Sequence, residues 1–442
     1  MRKTISFLLA GVLLVGSYFV LKNFFPKYAG FIPFLLILIL LDVYLWNSVK
    51  NKFSSKKPAF KYLAIGLYWL PLMLLASSFL TGFAVSFKDW NIAYRTYLMG
   101  LITIAYVSKL IVIIFLFIAD VIRVIHFGFR VISGRAGTKF KEIKRLKIIL
   151  ITGWIFGTGL FLLFLCGIIF WNFDFTGRGE TIRLPELPSA FEGTRIIQVS
   201  DIHLGSWACP EKLRDAVQII NSLNPDIVFF TGDLVNYTSY EAYDFANILK
   251  EIRAPLGIFA IMGNHDYGDY VAWPSDEAKK KNLDYLHETY KYLGWKLLLN
   301  EHVIIHRGND SIAVIGVENW GGTKRFPRLG DLAKATKGIE NTAVQLLLSH
   351  DPSHWDKIVK KQFRNIDITF SGHTHGFQFG IECCGIRWSP SQYMYKEWAG
   401  LYTEPVPGSH PQYLYVSRGL GSIGYPGRIG ILPEITLFIL KK

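Results

Sequence analysis

Five short fragments in the C-terminal half of the chain carry its chemistry: Asp201-Ile202-His203, Gly232-Asp233, Gly263-Asn264-His265-Asp266, Ser349-His350 and Gly372-His373-Thr374-His375. Together they supply three carboxylates, one Asn and five His. Carboxylate oxygens and imidazole nitrogens suit Mn, Fe or Zn, and an Asn carbonyl adds a weaker ligand that needs such partners. The set is large enough for two adjacent divalent ions. Two ions about 3.5–4 Å apart acidify a water and neutralise phosphoryl charge, a common device for cleaving phosphate esters. Any one fragment has an ordinary structural use, Asp201 as a helix cap or Asn264 in a turn. The series as a whole does not, because an Asp at the buried end of a strand is costly unless it is paired or bound to a metal.

The elements that must position these fragments surround them. Arg195–Val199 reads as a strand before Asp201, Asp226–Thr231 as one before Asp233, and Ile258–Met262 as one before Asn264. Pro210–Leu223 and Tyr240–Ile252 have helical spacing, with Pro210 suited to a first turn. Further strands are expected near Lys296–Leu299, Val303–His306, Ile312–Val317, Val344–Leu348, Ile366–Phe370, Tyr413–Val416 and Ile435–Ile439, and a first edge strand at Thr181–Leu184. Strands that alternate with helices and are apolar throughout predict an α/β domain built on a parallel sheet covered on both faces. Such sheets place their sites past the carboxyl ends of the strands.

The N-terminal part is a different kind of chain. Residues 1–176 hold 20 Lys+Arg against 5 Asp+Glu, a balance of +15, whereas the remainder holds 28 against 29, a balance of −1. The net charge of +14 therefore belongs to the apolar part, and the near-neutral C-terminal part lacks the basic footprint of a nucleic-acid binder. Five stretches are long enough to cross a bilayer: Ile5–Phe25, Ala29–Val49, Leu63–Phe87, Leu98–Ile118 and Ile148–Phe173. The first lacks a small-residue cleavage site and is followed closely by a second, so it is expected to remain as a span. Lys22 is expected to snorkel, and Asp42 and Lys109 to pair between helices. Segments 50–61 and 123–147 are rich in Lys and Arg, as is the N-terminus with Arg2 and Lys3. With five spans these fall on one side, the cytoplasmic one, and the C-terminal domain on the other. Expected boundaries are a transmembrane region at 1–176, a Gly- and Pro-containing linker at 177–193 and a soluble domain at 194–442.

The ordered series D-x-H, G-D, G-N-H-[DE], an isolated His and G-H-x-H resembles the signature of the calcineurin-like metallophosphoesterases, over residues 194–442. The segments Leu348–Pro352, Gly372–Gly376, Val416–Gly421 and Pro433–Thr436 look like the bacterial YkuE-type branch. One departure is Phe377, where the resemblance leads to an expected Gly. The family implies a sandwich of mixed sheets flanked by helices. It implies that Asp201, His203, Asp233 and His375 hold one metal, and that Asp233 bridges to a second held also by Asn264, His350 and His373. His265 is implied as the non-ligand catalytic residue, with Asp266 orienting it or capping the turn.

The expected function is a membrane-anchored, two-metal phosphoesterase acting on a phosphodiester or pyrophosphate in a lipid-linked or envelope substrate. One alternative is a cytoplasm-facing hydrolase of a UDP-2,3-diacylglucosamine type, known among relatives of this branch. Another is an inactive domain serving as a membrane sensor or scaffold. Smaller expectations concern single residues. His354 is expected at the surface, and His302 and His306 as structural. Arg418 and Arg428 are candidates for either an anionic substrate or loop anchoring. Cys383 and Cys384 read as buried thiols or as partners of Cys209, and spacing alone does not set disulfide geometry.

Overall fold

The computed structural model describes residues 30–53, 56–133, 144–323, 326–408 and 410–442, with a few positions between 11 and 23. The expected first span, Ile5–Phe25, lies for the most part outside the described residues. The chain divides into two compact units, one of residues 1–87 and 98–163 and the other of 88–97 and 164–442.

In the first unit lie the greater parts of four described helices, Phe31–Val49, Pro58–Ala84, Ile92–Ile132 and Lys147–Cys166. All four are long and apolar enough to cross a membrane. Asp42 is buried among them. Its carboxylate takes the Lys109 ammonium at 2.7 Å and the Tyr106 hydroxyl at 2.9 Å. This is the interhelical pairing expected for an ionisable residue inside a bundle.

The second unit is a β-sandwich. In chain order its first strands are β1 (Thr176–Arg183), β2 (Arg195–Val199), β3 (Ile227–Phe230), β4 (Ile258–Ala260) and β5 (Lys296–Leu297). Then come β6 (Glu301–Arg307), β7 (Asp310–Gly316), β8 (Gln345–Leu348), β9 (Ile368–Ser371), β10 (Ile381–Cys383) and β11 (Ile386–Trp388). The last are β12 (Gly400–Glu404), β13 (Gln412–Val416) and β14 (Glu434–Lys441). One sheet has the order β1-β14-β2-β3-β4-β5 and the other β12-β13-β9-β8-β7-β6. Both are mixed. β2, β3, β4 and β5 run parallel beside an antiparallel β14, and β7, β8, β9 and β13 run parallel beside antiparallel β6 and β12.

Alternation along the strands explains the layering. Ile196, Ile227 and Phe229 of the first sheet meet Val314, Leu346, Ile368 and Phe370 of the second in one buried cluster between the sheets. Their neighbours Ile197, Val228 and Phe230 point the other way, under Leu213, Val217 and Ile220 of the helix Pro210–Ser222 and Leu286 and Leu293 of the helix Asp276–Leu293. A third cluster covers the outer face of the second sheet through Leu332, Trp355 and Val359. Each sheet is thus covered by helical segments on one face and by the other sheet on its second, the helix-flanked sandwich that the resemblance implied.

Two local expectations change. The helix expected over Tyr240–Ile252 is a 3-10 turn at Ser239–Ala242 and a single helical turn at Ala246–Leu249. Its polar groups are drawn elsewhere, since Glu241 pairs with buried Arg95 and accepts from the Asn236 and Tyr237 N–H groups. The helix Asp276–Leu293 was not among the expected elements. It opens on Ser275, whose side chain accepts from the Ala278 N–H, and closes at Gly294 with φ 73°.

Candidate metal centre

The parallel strands bring their carboxyl ends to one rim. β2, β3 and β4 deliver Asp201 with His203, Asp233, and Asn264, while β8 and β9 deliver His350, and His373 with His375. Two groups of donors form. In one, His203 Nε2 lies 3.1 Å from His375 Nε2, which is 3.3 Å from Asp201 Oδ1. In the other, His350 Nε2 lies 3.2 Å from His373 Nδ1, from Asn264 Oδ1 and from Asp233 Oδ2. Asp233 Oδ2 is also 3.5 Å from His203 Nε2. One carboxylate oxygen therefore stands between the two groups. The triads Asp201–His203–His375 and Asp233–His350–His373 each place their donor atoms within 4.8 Å of one another.

The chemistry of this donor set fits divalent cations. Asp201 and Asp233 are buried, and among the described residues their close ionic partners are imidazoles rather than Lys or Arg. Burial disfavours a charge on His350, yet the Asp233 and Asp201 carboxylates outweigh it and push the pKa up to about 10. The cluster draws positive charge toward itself. Its outer contacts also set the imidazoles for metal binding. His350 Nδ1 donates to the Thr231 carbonyl at 2.7 Å, which turns Nε2 toward the donor group. His373 Nε2 meets the Tyr395 hydroxyl at 2.7 Å, which leaves Nδ1.

The backbone is bent to make this possible. Asp201, His203, Asp233, His373 and His375 all have positive φ, between 49° and 72°. L-residues adopt that region at a cost of about 1–2 kcal/mol each, and such strain gathers at functional sites. Two motif glycines are explained by close approach. A Cβ on Gly263 would come within 2.2 Å of Asp233 Oδ1, and one on Gly372 within 2.2 Å of Asp201 Oδ2.

His265 stands beside the donors without joining them. Its N–H donates to Asp233 Oδ1 at 2.8 Å, and its ring lies 4.9 Å from that of His203. Its Nδ1 is 2.8 Å from the Asn236 carbonyl, which can only accept, so Nδ1 carries a proton. Tyr270 stacks on the ring at 4.1 Å, and its hydroxyl accepts from Asn264 Nδ2 at 2.7 Å. Burial lowers the His265 pKa. Asp266 does not reach His265. Its Oδ2 accepts from the N–H groups of Asp233 and Gly263 at 2.9 Å, and its Oδ1 from Leu234 at 2.8 Å and Val235 at 3.2 Å. Burial and the charge of Asp233 raise its pKa to about 7. Four N–H donors on two oxygens nevertheless describe the ionised form, and these bonds tie the loop of Asp233 to that of Asn264.

A cavity of about 450 Å³ opens over the centre, lined among others by His265, His373, Phe326, Phe377, Met394 and Tyr395. Phe377, in the place of an expected Gly, has φ 58° and is 54% exposed. It keeps the left-handed backbone that Gly adopts freely and sets an aromatic ring at the mouth. Asn236, Tyr270, Phe326 and Tyr395 were not anticipated, since they lie at no motif spacing and meet the site only in three dimensions.

Several expectations are corrected. His354 is fully buried, with Nδ1 2.8 Å from Ser349 Oγ and its ring stacked on Trp320 at 4.8 Å. Of the two readings of Arg418 and Arg428, loop anchoring is the one seen: both are buried, Arg418 pairs with Glu382 and Glu434, and Arg428 donates to the carbonyls of Arg418, Gly419 and Gly421. All four cysteines are free, so Cys209 pairs with neither Cys383 nor Cys384. His302, with Nδ1 2.8 Å from the Ala335 carbonyl, is structural as expected.

Both parts of the chain are similar to known proteins. Residues 194–377 match the family described as calcineurin-like phosphoesterase, and residues 28–171 match one described as "Probable Calcineurin-like phosphoesterase, transmembrane domain". The chain is 29% identical over 272 residues to "Uncharacterized metallophosphoesterase YkuE" of Bacillus subtilis, covering 60% of this chain and 84% of that protein. It is 31% identical over 269 residues to "Transmembrane protein with metallophosphoesterase domain" of Danio rerio, covering 59% of this chain and 56% of that one. It is 29% identical over 280 residues to "UDP-2,3-diacylglucosamine pyrophosphatase LpxG" of Chlamydia trachomatis, covering 54% of this chain and 81% of that one.

Proposed function

This chain carries a calcineurin-like phosphoesterase domain behind a transmembrane domain, and we propose that it hydrolyses a phosphodiester or pyrophosphate bond in a lipid-linked or envelope substrate with two divalent ions. The observation that carries this reading is Asp233 Oδ2, 3.5 Å from His203 Nε2 on one side and 3.2 Å from His350 Nε2 on the other. Asp201, His203, Asp233 and His375 would hold one ion, and Asp233, Asn264, His350 and His373 the other. When bound, such ions supply Lewis-acid charge and a water of lowered pKa. The chain's own residues do the rest. His265, held through Nδ1 by Asn236 and flat against Tyr270, would turn Nε2 toward the leaving oxygen and stabilise or protonate it there. Phe326, Phe377 and Met394 at the cavity favour a substrate with an apolar part next to its phosphate. The lipid-linked class is further supported by the four apolar helices and by the relative whose name gives a diacylated pyrophosphate as its substrate.

Orientation follows from charge. From either basic segment, 50–61 or 123–147, the chain crosses an odd number of described spans, three or one, before the C-terminal domain. Residues 88–97 share a compact unit with 164–442, so the same count holds for the loop between the second and third described spans. With basic segments inside, the domain is extracytoplasmic, whatever the N-terminal span does. The similarity to LpxG favours a second reading, a pyrophosphatase of a UDP-linked lipid facing the cytoplasm. A C-terminal tag cleaved by protease added to intact cells supports the first reading, and a protected tag the second.

The central test is Asp233→Asn in the full-length protein, with bound metal counted by mass spectrometry and hydrolysis followed on lipid extracts and on an aryl phosphodiester. We expect fewer than two ions per chain and activity down by more than about 100-fold, the usual ceiling for losing a partner one layer further out. Full activity with two ions still bound would remove the bridging role. An inactive sensor or scaffold would instead show no hydrolysis and no metal in the unaltered protein.

A further inference from the structure

β10 and β11 form a hairpin of their own, apart from both large sheets, between His375 and the turn Pro390–Tyr393. Cys384 and Gly385, both at positive φ (53° and 79°), make its two-residue turn. Residues directly opposite across a ladder share a face. Ile381 opposes Trp388 and Cys383 opposes Ile386, while Glu382 opposes Arg387 on the other face. The charged face is held to the domain, because Glu382 pairs with Arg418 and, at 2.8 Å, with Arg178. The apolar face is left outward, with Ile381 46% and Ile386 58% exposed and Cys383 and Cys384 exposed beside them. A hairpin with one face on a soluble domain normally shows polar side chains to water, and this one is reversed. Phe377 and Met394, which line the cavity over the metal centre, are exposed as well.

The neighbourhood indicates what covers this face. Phe379 stacks on Phe164 at 6.0 Å and meets Trp388 edge-on at 6.2 Å. Phe164 belongs to the apolar helix Lys147–Trp171, the last described span, whose end also exposes Ile169 and Phe170. That end is fastened to the same loops. The Tyr425 hydroxyl bonds the Phe164 carbonyl, and the Arg428 N–H donates to the Gly167 carbonyl at 3.3 Å. The hairpin is therefore held beside the C-terminal end of the last described span.

We propose that the β10–β11 hairpin is a second membrane contact, with Ile381, Cys383, Cys384 and Ile386 seated in the interfacial layer of the bilayer that the helices cross. Apolar side chains on a fixed element at that depth gain by leaving water. The contact holds the mouth of the metal centre against the lipid surface, where phosphate headgroups lie. It rests on the helix Lys147–Trp171 crossing the membrane and not on the substrate proposed above.

The test uses the full-length chain in vesicles of phosphatidylcholine and phosphatidylglycerol, with Cys166→Ala, Cys209→Ser and Cys383→Ser leaving Cys384 for a bimane label. Lipids with a spin label high on the acyl chain should quench the bimane about twofold or more, and aqueous iodide should quench it weakly. Free quenching by iodide with no effect of the lipid label overturns the proposal. So does a bimane shielded from iodide yet untouched by the lipid label, since that pattern assigns the face to a protein, a second copy included. As a second readout, Ile381→Ser with Ile386→Ser should leave hydrolysis of a soluble aryl phosphodiester unchanged and abolish the lipid quenching. Because quenching does not depend on turnover, it stands or falls apart from the proposed reaction.

Discussion

Asp266 offers the sharpest test of how the centre is assembled. Its two oxygens accept four backbone N–H groups, two from either oxygen, and these belong to the loops that carry Asp233 and Asn264. Asp266→Asn keeps the shape but turns one oxygen into an NH2. That group faces N–H donors and satisfies none of them, so two bonds to a charged acceptor are lost. Such bonds are worth about 1.5–3 kcal/mol each, which gives a loss of about 3–6 kcal/mol. Both loops should loosen, and with them the spacing between the two donor groups. The expected result is a lower midpoint in denaturant, fewer than two ions bound per chain, and activity partly restored by excess metal. If Asp266 acted instead on the proton of His265, the variant would keep its stability and metal content and change only kcat and its pH profile. A stability loss below about 1 kcal/mol with two ions bound would refute the clamp, since that is less than one such bond.

Other side chains give separable outcomes. His265→Gln should leave metal content unchanged and lower kcat by about 10²–10⁴-fold, because Nε2 is lost while the ligand groups stay. Tyr395→Phe removes the hydroxyl on His373 Nε2 and should weaken metal affinity about 10–100-fold, read by chelator competition, with no change in melting temperature. His354 tests stability against pH. Burial lowers its pKa from 6.5 to about 4, so between these values the unfolded chain binds more protons and stability falls as the solution is acidified. The span corresponds to at most about 3 kcal/mol, and His354→Asn should flatten the difference in unfolding free energy between about pH 4 and 6.5.

Much of the site was legible because its candidate ligands follow strands. Asp201, Asp233, Asn264, His350 and His373 each follow an apolar run by two to four residues, and those runs are β2, β3, β4, β8 and β9. Once such strands run parallel, their ends must share an edge. What supports the ligands was not legible. Thr231 and Asn236 act through backbone carbonyls, which any residue possesses. Tyr270 and Tyr395 act through tertiary placement at no fixed distance from a motif. The broken stretch at Tyr240–Ile252 failed for a related reason, since helical spacing was present but Glu241 was needed by Arg95, 146 residues away in sequence.

The charged residues of the Gly-rich loops show where local reading stops. Arg418 beside a metal centre has the chemistry to bind phosphate, and nothing adjacent in sequence says otherwise. Its partners Glu434 and Glu382 are 16 and 36 residues away, and they occupy its guanidinium inside the fold. Removing one partner of a buried pair costs about 3–5 kcal/mol, because the other charge is left uncompensated. A guanidinium so engaged cannot swing to a substrate without that loss, which makes Arg418 an anchor. The same pairing explains the reversed hairpin. With Glu382 drawn inward to Arg418, the two-residue alternation of the strand leaves Ile381 and Cys383 no direction but outward. One buried ion pair thus fixes which face of the hairpin the membrane can meet.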